Sequence, residues 1–132
     1  MTTDRAAVEA IEALRAQWDV HFNAGRIAEL ANLFYTDDAV ALPPDTPHIT
    51  GRANIRAFFQ SFYNSGKVEF HLGVIRTEAA GNYGYLVGDY TLEVTASGRT
   101  QRFRGETNEA YRKLADGRWQ CCADMWHNVE EL

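Results

Sequence analysis

The sequence predicts an α+β fold in which three N-terminal helices pack on the concave face of a strongly curved, mostly antiparallel sheet. Apolar residues recur at helical spacing through the first half of the chain. The second half holds four long runs of strand-forming residues separated by short turns. Helices followed by hairpin-connected strands are typical of this class. Glycines within these runs permit the bends that curvature requires: Gly73, Gly84, Gly88 and Gly105.

Each helix is predicted from its apolar spacing and its end signals. The first begins at Thr3-Asp4 and ends at Asn23-Ala24-Gly25, because aspartate favours the cap and glycine the position past the end. Its apolar residues share one face: Val8, Ile11, Leu14, Trp18 and Phe22. The second helix is short, over residues 27–34, and Asp37-Asp38 are predicted to close it. The third runs from about residue 53 to residue 64.

Strands are predicted on both sides of the third helix. A short strand at residues 39–42 ends at Pro43-Pro44, because proline cannot donate to a strand ladder. The four long strands cover residues 68–78, 83–96, 100–114 and 118–129. Alternation places a set of apolar residues on one sheet face, which the sequence leaves open as inner or outer: Leu86, Tyr90, Leu92 and Val94.

Composition predicts a single globular domain over residues 1–132, and it limits the classes of partner that the protein is expected to bind. The chain has 132 residues, 45% hydrophobic and 23% charged, with a formal net charge of -5. It has no block of basic residues, so no nucleic-acid partner is expected, and no apolar run long enough to span a membrane. The start of the chain lacks a signal-peptide pattern, and the neighbouring Cys121 and Cys122 point to opposite faces of a strand. We therefore expect a cytoplasmic protein without a disulfide, and no spacing indicates a metal site.

Three stretches of the chain resemble the nuclear-transport-factor-2-like superfamily of cone-shaped α+β barrels. They are "W…F…GRIAELANLFYTDDAV", "TGRANIRAFF" and "EAYRKLADGRW…MW". Together they cover nearly the whole chain, and they are most similar to the branch of SnoaL-like cyclases and ketosteroid isomerase. The resemblance implies an apolar pocket and a homodimer, while the fold hosts both enzymes and non-catalytic assembly domains.

Similarity to ketosteroid isomerase implies candidate pocket residues. Trp18 matches the family's tyrosine donor on the first helix, and Glu109 matches its protonated aspartate. Three aromatic residues match a pocket tryptophan and two supporting tyrosines: Trp126, Tyr35 and Phe59. The position of the isomerase base, however, holds Pro43.

Similarity to the SnoaL-like cyclases implies a different base, an aspartate on the last strand. Asp124 in "CADMW" is placed for that role, and strand alternation puts it on one face with Trp126. The alternative is a structural acid that is bonded to a helix residue, a Trp or a Tyr.

Glu109 shares a strand face with Thr107 and with Tyr111, which is a further candidate ligand-binding residue. If that face is the concave one, burial is expected to raise the pKa of Glu109 and leave it as a neutral hydrogen-bond donor. The alternatives are exposure, or a cross-strand ion pair with an arginine such as Arg104 or Arg118.

The remaining candidates are a histidine and the pocket aromatics. His21 lies one turn after Trp18, so it either faces the pocket as a ligand-binding base or lies on the helix flank bonded to backbone. The aromatic residues either line a ligand site or fill the interior. Residues 34–52 are predicted to form the pocket rim, in which Pro43-Pro44 supply rigidity and Gly51-Arg52 the turn into the third helix.

Two functions follow. The first is a SnoaL-like protein that binds an apolar, oxygenated small molecule and works without a cofactor as an isomerase, dehydratase or cyclase next to a carbonyl. Glu109 would be the donor or acid, Asp124 the base and Trp18 an oxyanion donor. The second is a non-catalytic ligand-binding, dimerisation or assembly domain. We expect a homodimer in either case, and the sequence leaves the choice between the two open.

Overall fold

The computed structural model describes residues 3–132. Three helices pack against one six-stranded sheet. The three helices, the four long strands and a strand before the third helix were predicted, whereas the two-residue strand Ile49–Thr50 was not. In chain order the elements are α1 (Arg5–Asn23), α2 (Ile27–Phe34), β1 (Tyr35–Leu42), β2 (Ile49–Thr50), α3 (Arg52–Asn64), β3 (Lys67–Ala80), β4 (Tyr83–Ala96), β5 (Arg99–Lys113) and β6 (Trp119–Glu131).

The long helix α1 begins and ends where its capping residues predict. The Asp4 side chain accepts a hydrogen bond of 3.2 Å from the Ala7 N–H, which satisfies one of the free donors of the first turn. Gly25 follows the helix with a positive φ of 76°, the left-handed conformation that glycine adopts without strain. The buried face carries the predicted apolar residues Ile11, Leu14, Trp18 and Phe22. This face covers the concave side of the sheet.

The strand order is β2-β1-β6-β5-β4-β3. All neighbouring pairs are antiparallel except β1 and β6, which are parallel. The sheet is curved, but it is not closed, since β2 and β3 form its two edges. The cone-shaped barrel that the resemblance implies is therefore an open, curved sheet with helices over its concave face.

The Asp37-Asp38 pair does not close the second helix, contrary to the prediction. Helix α2 ends at Phe34, and β1 begins at Tyr35 and contains both aspartates. They are consecutive and exposed, at a point where the pairing register between β1 and β6 shifts. Two consecutive exposed acids break strand alternation, and the sequence pattern therefore indicated a turn. Their carboxylates pair with Arg52 and Arg112 instead.

The alternating apolar residues of β4 lie on the inner face of the sheet. Leu86 and Tyr90 are buried, and Leu92 and Val94 pack against the core. The apolar surface whose direction the sequence left open is therefore the inner one, and it is not available to a partner chain. None of the helices in residues 3–132 is long and apolar enough to cross a membrane.

Candidate acid-base site in an aromatic cavity

An open cavity of about 300 Å³ lies between the helices and the inner face of β4, β5 and β6. Its volume is at the lower end of the range for small-molecule sites. Aromatic rings supply most of the wall: Trp18, Phe22, Phe58, Phe59, Phe62, Phe70, Tyr90 and Trp126. Polar or charged side chains reach it at a few points only: Arg15, Thr46, Thr107, Glu109, Asp124 and Asn128. The aromatic residues therefore do not fill the interior completely.

Strand pairing sets two acids side by side at the base of this cavity. Glu109 of β5 lies directly opposite Asp124 of β6, and Leu86 of β4 completes the row. The next row along the strands holds Thr107 and Trp126. Alternation turns all of these side chains inward. The sequence predicted that Asp124 shares a face with Trp126 and Glu109 with Thr107, and it left the direction of the Glu109 face open.

Asp124 is a buried acid with a perturbed proton affinity. It is 5% exposed, and its Oδ2 accepts a hydrogen bond of 2.6 Å from the Tyr35 hydroxyl. Burial, together with the neighbouring Glu109 carboxylate, raises the pKa of Asp124 from 3.8 to about 7. Hydrogen bonding by Tyr35 acts in the opposite direction. Asp124 can therefore exchange a proton near neutral pH, which a general acid or base requires.

Glu109 is a hydrogen-bond acceptor in a buried ion pair, and this differs from the expected neutral donor. Arg15 Nε lies 2.9 Å from Glu109 Oε2, and both side chains are almost fully buried. Tyr111 donates to Oε1 at 2.5 Å, and Thr107 donates to Oε2 at 3.1 Å. Arg15 and Tyr111 thus each direct a donor at this carboxylate, so it acts as the acceptor. Of the predicted alternatives, exposure is wrong, and the ion pair with an arginine is present but is formed by Arg15 of α1. Arg104 and Arg118 pair with Glu130 and Asp116 instead.

Arg15 is the site residue that the sequence analysis missed. It projects from α1, and its Nη1 donates to Asp19 at 3.1 Å while Nε is held by Glu109. Its guanidinium carbon lies 4.6 Å from the centroid of the Trp18 ring, a cation–π contact. Burial alone would lower the pKa of Arg15, but the Glu109 carboxylate raises it above its usual range. The one signal in the sequence is its position three residues before Trp18, on the same helix face.

Trp18 supports Asp124 indirectly and is not a free oxyanion donor. Its indole N–H donates to the Tyr35 hydroxyl at 3.3 Å, and Tyr35 in turn donates to Asp124. Burial raises the pKa of Tyr35 well above its ordinary value of 10, so the phenol keeps its proton as a donor. The chain from Trp18 through Tyr35 orients one oxygen of Asp124. The single N–H of Trp18 is therefore already used.

The other predicted residues line the cavity, support its wall from behind or lie outside it. Phe59 stacks on Trp126 in the wall, with ring centroids 5.6 Å apart and an interplanar angle of 20°. Tyr35 and Tyr111 lie behind the wall, fully buried, as hydrogen-bond supports. His21 does not face the cavity, contrary to one reading of its helix position. It lies on the helix flank, where its Nδ1 accepts a hydrogen bond of 3.0 Å from Arg26.

The segment between β1 and α3 forms part of the cavity mouth. Pro43, Pro44 and Thr46 line the cavity, as expected for a rim. Arg52, the first residue of α3, donates from Nε to the Tyr35 carbonyl oxygen at 2.8 Å. This contact ties the rim to the residue that holds Asp124. Within residues 3–132, no three His, Cys, Asp or Glu side chains converge as a metal site.

The fold and the matching residues identify the chain as a member of the SnoaL-like domain family. The match to that family covers residues 7–121. No curated protein matches the chain.

Solved structures from the wider superfamily share this fold. A ketosteroid isomerase-like protein from Erwinia carotovora atroseptica SCRI1043 superposes with a TM-score of 0.84 at 19% identity, covering 96% of this chain and 99% of its own. A provisionally named scytalone dehydratase from Novosphingobium aromaticivorans DSM 12444 gives 0.85 at 15% identity, with coverage of 96% and 87%. A provisionally named calcium/calmodulin dependent protein kinase II association domain from Xanthomonas campestris gives 0.75 at 21%, with coverage of 92% and 87%. At these identities the likeness shows the fold alone.

Proposed function

We propose that this protein binds a small, mostly apolar, oxygenated molecule in its cavity and transfers a proton next to a carbonyl group. Isomerisation, dehydration and cyclisation next to a carbonyl can each begin with this step. The observation that carries the proposal is the position of Asp124, an acid with a pKa of about 7 at the base of an aromatic cavity. Two structural neighbours carry names from isomerase and dehydratase chemistry, which agrees with it.

The proposed step assigns a separate role to each group at the cavity base. Ionised Asp124 removes a proton from the carbon beside the carbonyl, and the electron pair of that C–H bond moves to the carbonyl oxygen as an enolate. Tyr35 holds the other carboxyl oxygen of Asp124 in place. Arg15 uses Nε for Glu109 and Nη1 for Asp19, which leaves Nη2 as a donor toward the developing negative charge. Protonated Asp124 then returns the proton to the enolate.

The charges at the base favour a neutral ligand. Glu109 and Asp124 both contribute carboxyl groups, whereas Arg15 is the one cation among the residues that line the cavity. Arg15 is already paired with Glu109 and Asp19. An anionic ligand would therefore meet more negative than positive charge, and a ketone or enone meets no such repulsion.

Exchange of carbonyl-adjacent hydrogens tests the proposal without knowledge of the natural substrate. 1-Tetralone is a neutral, two-ring ketone, and proton NMR in D2O follows loss of the signal from the hydrogens beside its carbonyl. We expect the wild type to accelerate this exchange above the buffer rate. Asp124→Asn, which keeps an acceptor for Tyr35, is expected to lower the protein-dependent rate by about 100-fold or more.

The pH dependence of that exchange has a defined sign. Because a base must be ionised, the protein-dependent rate should rise as pH increases through about 7 and level off above it. The matched control is Asp45→Asn, which removes an exposed acid at the mouth and should leave the rate unchanged. A ketone that binds but exchanges no faster than in buffer would contradict the catalytic proposal.

That outcome would favour the second candidate, a non-catalytic ligand-binding, dimerisation or assembly domain. The observation in its favour is the fold likeness to the association domain named above. The homodimer that the family resemblance implies would have to use the outer sheet face, because the apolar face of β4 is turned inward. Sedimentation of the purified chain measures its oligomeric state, and an open cavity that accepts no neutral ligand would support assembly alone.

A further inference from the structure

A second polar position lies at the end of the cavity opposite the acids. Tyr90 of β4, Gly105 of β5 and Asn128 of β6 form one row across the three strands. This row is four residues along the strands from the row that holds Glu109 and Asp124. The pairing between β5 and β6 is regular over that stretch, so the two rows lie about 13 Å apart along the strand direction.

Gly105 makes room in this row for the Tyr90 ring. A side-chain carbon at residue 105 would collide with the end of the Tyr90 ring and with the His127 carbonyl oxygen. Because residue 105 has no side chain, Tyr90 lies across β5 and reaches Asn128 on β6. Tyr90 is 3% exposed and stacks on Phe70, with ring centroids 5.2 Å apart. The phenol therefore has a fixed position.

The Tyr90 hydroxyl sets the orientation of the Asn128 amide. It donates to Asn128 Oδ1 at 2.7 Å, and partial burial raises the pKa of Tyr90 to about 12, so the hydroxyl keeps its proton. With Oδ1 occupied, the NH2 group of the amide is the end that remains for another partner. Asn128 is an exposed residue at the edge of the cavity that it lines, and alternation along β6 places it on the same face as Asp124 and Trp126.

We propose that Asn128 is a specificity-determining residue that donates a hydrogen bond to a second acceptor oxygen at the far end of the ligand. This inference rests on the proposed function, because it assumes that the first oxygen of the ligand lies at the acid pair. The ligand class is then a flat, neutral body of two or three rings with an oxygen at each end. Its apolar middle would lie along Trp126, between the two polar rows.

A pair of equally shaped probes isolates the far oxygen. 6-Methoxy-2-naphthol has an acceptor oxygen at its far end, and 6-ethyl-2-naphthol replaces that oxygen with a methylene group. Dissociation constants are measured by fluorescence for the wild type, for Asn128→Leu and for His127→Leu. His127 is the matched control, since it is the neighbouring exposed residue and its side chain turns to the outer face, where it meets Glu106.

We expect the ethyl-to-methoxy ratio of dissociation constants to fall about fivefold in Asn128→Leu, the value of one hydrogen bond. The ratio should be unchanged in His127→Leu. Binding of unsubstituted 2-naphthol should be retained in all three proteins, which checks that the rest of the cavity is intact. An unchanged ratio in Asn128→Leu, with both probes bound, would overturn the role of Asn128 alone. Failure of the wild type to bind 2-naphthol would contradict the proposed function, and this inference would fall with it.

Discussion

Arg15 gives the two acids at the cavity base different environments. It donates to Glu109 but not to Asp124, which is held by Tyr35 instead. Glu109 thus has a cation to balance its charge, and its negative charge in turn raises the pKa of Asp124. Two adjacent carboxyl groups with unlike partners are a common way to separate an ionised acid from a proton-carrying one.

Replacing Arg15 should be costly for stability. Arg15→Met leaves the Glu109 carboxylate buried without its cation, and we expect the free energy of unfolding at pH 7 to fall by about 3 kcal/mol. Urea denaturation measures the change. The double variant Arg15→Met/Glu109→Leu, which removes both charges, should recover more than half of the loss.

The control for this prediction is an exposed pair at the same distance. Arg104 Nε lies 2.9 Å from Glu130 Oε1, and both side chains are about half exposed. Arg104→Met should change the free energy of unfolding by less than about 1 kcal/mol. If Arg15→Met and Arg104→Met lowered the free energy of unfolding equally, the ion pair of Arg15 with Glu109 would not be a buried one.

At the residue scale, strand alternation predicted which side chains share a face, whereas position on a helix did not predict the burial of Arg15. The shared face of Asp124 and Trp126, and that of Thr107 and Glu109, follow from spacing on the predicted strands, whereas the inward direction comes from the structure. Arg15 was missed because a charged residue in an amphipathic helix is normally assigned to the exposed side. Its burial depends on Glu109, which lies 94 residues further along the chain. No local pattern contains that pairing.

At the scale of single elements, β1 shows where local sequence patterns fail. Its two exposed aspartates interrupt the alternation, so the strand was predicted to begin at residue 39 when it begins at Tyr35. The strand is stabilised by parallel pairing with β6, a contact between distant parts of the chain. The two ends of α1, in contrast, follow its local capping signals, and their prediction agrees with the structure to within about one residue.

The central strand β5 depends on a glycine at residue 105. Gly105→Ala places a methyl group against the Tyr90 ring and the His127 carbonyl oxygen, and the latter cannot move independently of β6. We expect the free energy of unfolding, measured by urea denaturation, to fall by about 2 kcal/mol.

Gly73 on β3 is the control for this substitution. A methyl group at residue 73 would meet the Asp89 side-chain oxygen at 2.7 Å, and that flexible side chain can turn away. Gly73→Ala should therefore change stability by less than about 0.5 kcal/mol. A neutral effect of Gly105→Ala would mean that the Tyr90 ring does not cross β5 as described.

At the scale of the whole molecule, the candidate site is assembled from elements that are distant in sequence. Arg15 comes from α1, Tyr35 from β1, Glu109 from β5 and Asp124 from β6. The predicted order of helices and hairpin-connected strands gives the fold class. The resemblance implied a pocket, but the sequence left open whether the aromatic residues line it or fill the interior, because that depends on how far the side chains of several elements fill the space between them.

The raised pKa of Asp124 is a property of this whole arrangement, since it requires burial under the helices and the charge of Glu109 on the neighbouring strand. A carbon-13 NMR titration of the aspartate side-chain carboxyls measures it directly, and the signal missing from Asp124→Asn assigns the resonance. The account predicts a midpoint near pH 7, with the carboxyl protonated below it and ionised above. A midpoint near pH 4, the ordinary value for aspartate, would contradict the proposal that Asp124 carries the proton.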